Sequence, residues 1–243
     1  MRRLFFAATV WAAALPAHAE WTGQSEAGLV IASGNTNTET ANARINMKYE
    51  TDQWKNTVGG AALYASDEEG KTANRWETFG EIGWKFTERN FLFGAGRYEE
   101  DEFSGFEYQA TVSGGVGRRF LDRPNTTMVG TVGAGYKFLE TRDSFDSVTG
   151  ALIEEGSSER EVVFRSTIDF QHKFTATTSL VDKFIVESGA DNTFVQNDIS
   201  LQVKMTDVLA LAVGYGIRHN SNPPSEFKKT DTLTTINLVY DIK

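Results

Sequence analysis

A chain of 243 residues, 40% hydrophobic and 23% charged, has room for one large folded domain and is too apolar to stay disordered. It contains no cysteine, which excludes a disulfide framework and thiolate metal sites. A net charge of −9 leaves no broad basic surface and argues against nucleic acid as a partner.

Arg2 and Arg3 precede an apolar run from Leu4 to Leu15, followed by Pro16 and the small-x-small triplet Ala17-His18-Ala19. This is the layout of a secretory signal peptide over 1–19, with cleavage expected after Ala19 and a mature domain over 20–243. The apolar run is about twelve residues long, too short for a bilayer core that needs about twenty. Losing the leader removes Arg2 and Arg3 and takes the net charge from −9 to −11. The longest later candidate for a membrane helix, Val208 to Ile217, is shorter still and holds two glycines, so a helical membrane protein is not expected.

Beyond the leader the pattern has a period of two. In 39–50, Ala41, Ala43, Ile45, Met47 and Tyr49 alternate with Thr40, Asn42, Arg44, Asn46, Lys48 and Glu50. Because adjacent strand side chains point to opposite faces, such a segment has one apolar and one polar wall. The reading recurs with Trp76, Ile82, Trp84 and Phe86 against Arg75, Glu77, Glu81 and Lys85. It recurs again with Tyr108, Val112, Val116 and Phe120 against Gln109, Thr111, Ser113 and Arg119. In 159–174, Val162, Phe164, Ile168, Phe170 and Phe174 oppose Glu161, Arg165, Thr167, Asp169 and Lys173. Twelve strands are predicted: 22–34, 39–50, 54–66, 73–86, 90–99, 106–121, 126–139, 159–174, 178–188, 193–205, 208–219 and 230–242. An even number suits a single-chain barrel with both ends on one side.

Alternate links are short: Thr51-Asp52-Gln53, Thr87-Glu88-Arg89, Asp122 to Asn125, Thr175-Ala176-Thr177 and Thr206-Asp207. The intervening ones are mostly longer and more polar, as in Asp67 to Thr72, Glu100 to Gly105, Glu140 to Ser158 and Asn220 to Lys229. Short inner turns and long outer loops are the asymmetry of outer-membrane barrels. Trp76, Trp84, Phe86, Tyr108, Phe120, Phe164 and Phe174 lie near strand ends on the apolar face, as an aromatic girdle requires. A soluble sandwich also alternates, but its strands run to about five or six residues, and these are about twice that. The expected fold is therefore all-β: a closed antiparallel transmembrane β-barrel of about twelve strands behind a cleavable signal peptide.

Several phrases, in chain order, resemble the YdiY-type family of salt-induced outer-membrane proteins, which is defined by a domain of unknown function. They are Ser33-Gly34-Asn35-Thr36, Thr72-Ala73-Asn74-Arg75, Phe103-Ser104-Gly105-Phe106-Glu107-Tyr108, Glu187-Ser188-Gly189-Ala190-Asp191-Asn192-Thr193, Arg218-His219-Asn220-Ser221 and Lys228-Lys229-Thr230-Asp231-Thr232-Leu233. The resemblance implies a Gram-negative outer-membrane location, a link to salt or osmotic stress, and no known activity. It also implies delivery by the barrel-insertion machinery, which reads a terminal aromatic residue, whereas this chain ends Tyr240-Asp241-Ile242-Lys243.

The polar wall places Arg44, Lys48, Arg75, Glu77, Glu81, Lys85, Arg119, Arg165, Asp169 and Lys173 toward the lumen. Such charges either line a narrow aqueous passage or pair up and fill the interior, and twelve strands lie between the filled and open cases. Acidic runs at Asp67-Glu68-Glu69, Glu99-Glu100-Asp101-Glu102 and Glu154-Glu155, with Asp143 and Asp146, fall in the expected outer loops. They would concentrate cations or bridge to lipopolysaccharide through divalent ions, or simply be solvated. His219 and Ser221, two apart, share a strand face as a lipid hydrolase of the barrel type would need, though Asn220, Asn222, Pro223 and Pro224 mark an ordinary turn there. His172, between Phe170 and Phe174, fits an interfacial position, and nothing points to a metal or cofactor.

Three functions compete. The leading one is a non-enzymatic outer-membrane barrel acting as a small passive channel for ions or small solutes in envelope stress. The second is a closed structural or interaction barrel that meets lipopolysaccharide or a protein partner through its outer loops. The third is an outer-membrane lipid hydrolase using His219 and Ser221.

Overall fold

The computed structural model describes residues 21–32, 38–102, 104, 106–145, 149, 152–223 and 227–243. The signal peptide, with Ala17 and Ala19, lies outside the described residues, as does Asp146. The elements in order are β1 (Trp21–Ala32), β2 (Thr38–Glu50), β3 (Trp54–Asp67), β4 (Gly70–Lys85), β5 (Asn90–Asp101), β6 (Phe106–Arg123) and β7 (Thr126–Thr141). There follow β8 (Ser144–Phe145), β9 (Leu152–Glu154), β10 (Ser158–Lys173), β11 (Thr178–Ser188), β12 (Thr193–Lys204), β13 (Leu209–Asn220) and β14 (Thr230–Ile242). Twelve of these form one closed antiparallel barrel in chain order, and β8 with β9 makes a separate two-stranded ribbon.

Closure is made where β1 meets β14, in a register running from Gly23↔Ile242 to Ala27↔Leu238. Side chains reinforce this seam: Gln24 Nε2 donates to Asp241 Oδ1 at 2.8 Å, and Asn42 Nδ2 to Asn237 Oδ1 at 3.0 Å. A barrel leaves no strand edge, so backbone groups can enter hydrocarbon with their partners already in place. Among the described residues no helix is long and apolar enough to cross a membrane; the crossing elements here are strands.

The two walls are inverted relative to a water-soluble sandwich. On β10, Val162 and Phe164 are 68% and 54% exposed, while Glu161 and Arg165 on either side of them are buried. Ile45, Ile82, Leu92, Val112, Val116, Val132, Leu211, Val213, Ile236 and Leu238 are likewise exposed. A continuous apolar belt of this size is not a surface for water. Aromatics mark its two borders. Trp21, Trp54, Trp84, Phe86, Phe120, Phe174 and Tyr240 lie at the end with the short turns, and Tyr64, Trp76, Tyr136 and Phe164 toward the loop end. From Trp76 to Trp84, at about 3.3 Å per residue and a tilt near 40°, the span is about 20 Å along the barrel axis, close to an apolar band of about 25 Å.

Four short turns share one device. Thr51, Thr87, Thr175 and Thr206 each open a link, and the Oγ1 of each accepts backbone N–H bonds from residues two and three later. The backbone N–H of each donates to the carbonyl three residues on, for example Thr51 N to Trp54 O at 2.8 Å. A hydroxyl returning to its own turn offers the backbone a partner outside the ladder, so the strand stops there.

Two expected loops are shorter than their polarity indicates. Asp67 pairs with Gly70, so the link Asp67 to Thr72 becomes a hairpin tipped by Glu68 and Glu69. Gly70 has φ +134°, a conformation that side-chain-bearing residues rarely adopt. The stretch from Glu99 to Asp101 belongs to β5, because the ladder with β4 continues through Arg75↔Asp101 and outweighs the charge run as a guide to where the strand ends. Within Glu140 to Ser158, β7 runs on to Thr141 and the β8–β9 ribbon is inserted. Asp143 Oδ1 accepts from Gly156 N at 2.8 Å there.

Candidate functional site

Inside the barrel, the loop-side half is filled by a cluster built around Phe194. Its ring, on the second residue of β12, is fully buried and faces the same way as Gln196 and Asp198. Three cations approach it: the Arg97 guanidinium at 4.8 Å from the ring centroid, Arg218 at 5.1 Å and Lys137 at 5.2 Å. The electron-rich ring face attracts cations, and more strongly once water is excluded.

Carboxylates answer these cations. Glu99, 1% exposed, accepts from both Arg97 and Arg218, and Glu77 Oε2 accepts from Arg97 Nη2 at 3.0 Å. Arg218 Nη1 also donates to Gln196 Oε1 at 3.1 Å. Across the ring, Glu187 is fully buried and accepts from Thr111 Oγ1 at 3.2 Å, with Lys137 Nζ at 3.8 Å and Arg165 Nε at 3.5 Å. Glu161 Oε2 takes the backbone N–H of Asp191 at 3.2 Å, tying the β11–β12 hairpin down over the cluster. Charges buried this deeply persist only when paired, so the assembly behaves as a fixed plug.

Two cavities lie in the remaining space. The first, about 360 Å³, reaches the loop end at Thr40, Thr72 and Asp231 and is lined along β3 and β13 by small residues such as Ala61, Ala65, Gly214 and Gly216. The second, about 210 Å³, reaches the turn end at Lys48, Lys55 and Thr127. Both are bounded by Arg44, Asn46, Val181, Lys183 and Asp198. There Arg44 Nη2, on β2, donates across the lumen to Asp198 Oδ2 on β12 at 3.1 Å. Gln196 Nε2 donates to the same oxygen at 2.7 Å.

The ten charges expected on the lumen wall go to different places. Glu77 and Arg165 enter the plug; Arg75 borders the first cavity near it, Lys48 and Asp169 border the second, and Arg44 stands between the two. Glu81 pairs with Lys55 at 3.6 Å, also in the second cavity. Lys85 and Arg119 gather at the turn end around Glu50 Oε1, at 2.5 and 2.7 Å. Lys173 is exposed at the last position of β10.

Periodicity overlooked Arg97, Glu99, Lys137, Glu187, Phe194 and Arg218. A usable signal existed: in β5, Arg97 and Glu99 share parity with Phe91 and Phe93, and all four are buried. Phe194 is an apolar residue on the polar wall, so its character points outward although its place in the alternation, with Gln196 and Asp198, points inward.

The acidic rim is smaller than the sequence implies. Glu99 is inside, while Glu100 turns to the outer face and accepts from Tyr98 Oη at 2.7 Å and Trp76 Nε1 at 3.2 Å. Those rings belong to a girdle segment in which Trp76 packs on Tyr98 at 5.3 Å and Tyr98 stacks on Tyr108 at 5.7 Å. At the turn end, Trp84 meets Phe86 at 6.3 Å and Phe174 meets His172 at 4.8 Å. His219 Nδ1 is hydrogen-bonded with Thr230 Oγ1 at 2.8 Å, whereas Ser221 Oγ accepts from Thr193 N at 2.8 Å and donates to Asn192 Oδ1 at 3.3 Å. These two side chains are held by different partners and secure neighbouring hairpins. Among the described residues no group of His, Asp and Glu could hold a metal ion.

Known proteins supply three comparisons. The chain is 25% identical over 223 residues to the uncharacterized protein YdiY of Escherichia coli (strain K12), covering 90% of this chain and 82% of that one. Its fold is similar to the translocator domain of autotransporter NalP from Neisseria meningitidis, with TM-score 0.52 and 10% identity, covering 93% of this chain and 88% of that one. An outer membrane channel from Pseudomonas putida F1 gives TM-score 0.49 at 11% identity, covering 94% and 97%. The closed antiparallel barrel, with the likeness to the translocator domain, is the fold of an outer-membrane β-barrel. The model of a family described as "Protein of unknown function, DUF481" matches residues 25–242, which takes in all but the outermost residues of the barrel, and the chain belongs to that family.

Proposed function

We propose that this protein is exported, matures from Glu20, and serves in the outer membrane as a narrow passive channel for ions and small solutes. One observation carries the reading. Beside the fixed plug, two cavities of about 360 and 210 Å³ reach opposite ends of the lumen and share a wall at Arg44 and Asp198. Eight strands, β4 to β7 and β10 to β13, supply the plug, and β14, β1, β2 and β3 contribute much of the wall of the first cavity. Twelve strands enclose more than one cluster of side chains can fill, since barrels of about eight are already full. The experiment is reconstitution of purified, folded protein in planar bilayers. Discrete, small conductance steps are expected, and a folded barrel that never conducts overturns the reading.

The depth of the plug favours a second reading, a closed barrel that acts through its loop end on lipopolysaccharide or a protein. Shortening the segment between β8 and β9 would then change envelope permeability in cells while leaving bilayer conductance at the level of the intact protein.

A further inference from the structure

We infer that the Arg44–Asp198 pair is the gate of the lumen: its opening joins the two cavities, and its two charges set the ionic preference of the passage. The inference rests on the channel reading and adds to it where the path closes and what opens it.

The argument begins from the contrast between two kinds of ion pair in one lumen. The side chains of Arg97, Arg218 and Glu99 are 6%, 10% and 1% exposed, so separating them would leave charges without water. Arg44 and Asp198 are 26% and 24% exposed, wetted by the cavities on either side. A pair about a quarter exposed can exchange its partner for water at less cost than one buried to a few per cent. The plug therefore stays in place while this pair opens and closes.

Position makes that opening consequential. Arg44 rises from β2 and Asp198 from β12, and no strand ladder joins those two elements. Their bond therefore spans the lumen rather than decorating one wall. Asp198 is anchored on its own strand by Gln196 at 2.7 Å, so the arginine is the arm that swings. Lys183, facing Asp198 in the β11–β12 register, also borders both cavities. When Arg44 lets go, Lys183 remains beside the carboxylate and the barrier shrinks to one flexible side chain.

Salt should act on this gate directly. The screening length falls from about 10 Å at 0.1 M to about 3 Å at 1 M, so a wetted pair weakens as ionic strength rises. Open probability should then climb with salt more steeply than the conductivity of the bath.

The test is single-channel recording of the intact barrel, of Asp198→Asn, of Arg44→Gln and of the conservative Asp198→Glu, each confirmed as β-structured by circular dichroism. Loss of the pair should raise open probability at low salt by up to about five-fold. It should also flatten the salt dependence, while Asp198→Glu stays close to the parent. Reversal potentials in a salt gradient should move in opposite directions, toward anions in Asp198→Asn and toward cations in Arg44→Gln. A brace without contact with the permeating ion would not produce that split. If the parent conducts and both variants match it in open probability and selectivity, the gate is overturned and the channel stands. If parent and variants are all folded and silent, the channel reading fails and the gate with it.

Discussion

Arg218 on β13 and Glu99 on β5 meet inside the barrel although 119 residues separate them in sequence. Glu99 also receives Arg97, so one carboxylate holds two guanidiniums that would otherwise repel across a dry space. Strands on opposite arcs of the wall are thereby tied through the lumen, in addition to the ladder around it.

Removing that carboxylate without changing its shape isolates the effect. Glu99→Gln leaves Arg218 without its carboxylate and Arg97 with Glu77 alone, and the expected loss is about 3–5 kcal/mol. Urea unfolding of the protein folded in lipid vesicles measures it. The double variant Glu99→Gln with Arg218→Gln should recover part of that loss, because the orphaned charge is gone.

Phe194 separates packing from cation attraction. Phe194→Leu keeps most of the volume and loses the ring face, with an expected cost of about 0.5–2 kcal/mol. Phe194→Ala empties the centre of the plug and should cost about 3–5 kcal/mol. If the leucine variant matched the parent protein, the three approaching cations would have no energetic role. The same unfolding assay decides.

The threonine turns make a cheaper prediction. Thr175 Oγ1 accepts from Thr178 N at 2.9 Å and Thr177 N at 3.2 Å. Thr175→Val removes the acceptor and should destabilise by about 1 kcal/mol, whereas Thr175→Ser should be close to neutral. Hydrogen exchange of the Thr177 and Thr178 amides, faster in the valine variant, gives a local readout.

At the loop end, Glu102 Oε2 accepts from Asn74 Nδ2 at 2.8 Å and from Lys71 Nζ at 3.4 Å. The Asn74 bond first, and Lys71 after it, hold this exposed carboxyl below the ordinary glutamate range. A lowered folded-state value means that the contact stabilises the loop above the unfolded value and is lost as pH falls through the folded one. Carboxyl NMR titration should show Glu102 titrating below the other exposed loop glutamates, and Asn74→Ala should bring it back up. An unchanged value in that variant would remove asparagine as the cause.

The period of two is a local property: each side chain's face follows from its neighbours along the chain. Ile45 with Arg44, or Val162 with Glu161, could therefore be assigned to opposite walls from the sequence alone. The count of twelve, the short and long links, and the aromatic borders follow from the same local logic, because turn residues and strand length act within a few positions. Which inward charges meet across the lumen is not local. Glu99 looked like part of a solvated acidic run, and only the closing of β1 onto β14 brings it opposite Arg218. Likewise nothing near Arg44 in the chain names Asp198. Their approach depends on barrel circumference and on the registers of all twelve ladders, quantities that exist only once the sheet has closed on itself.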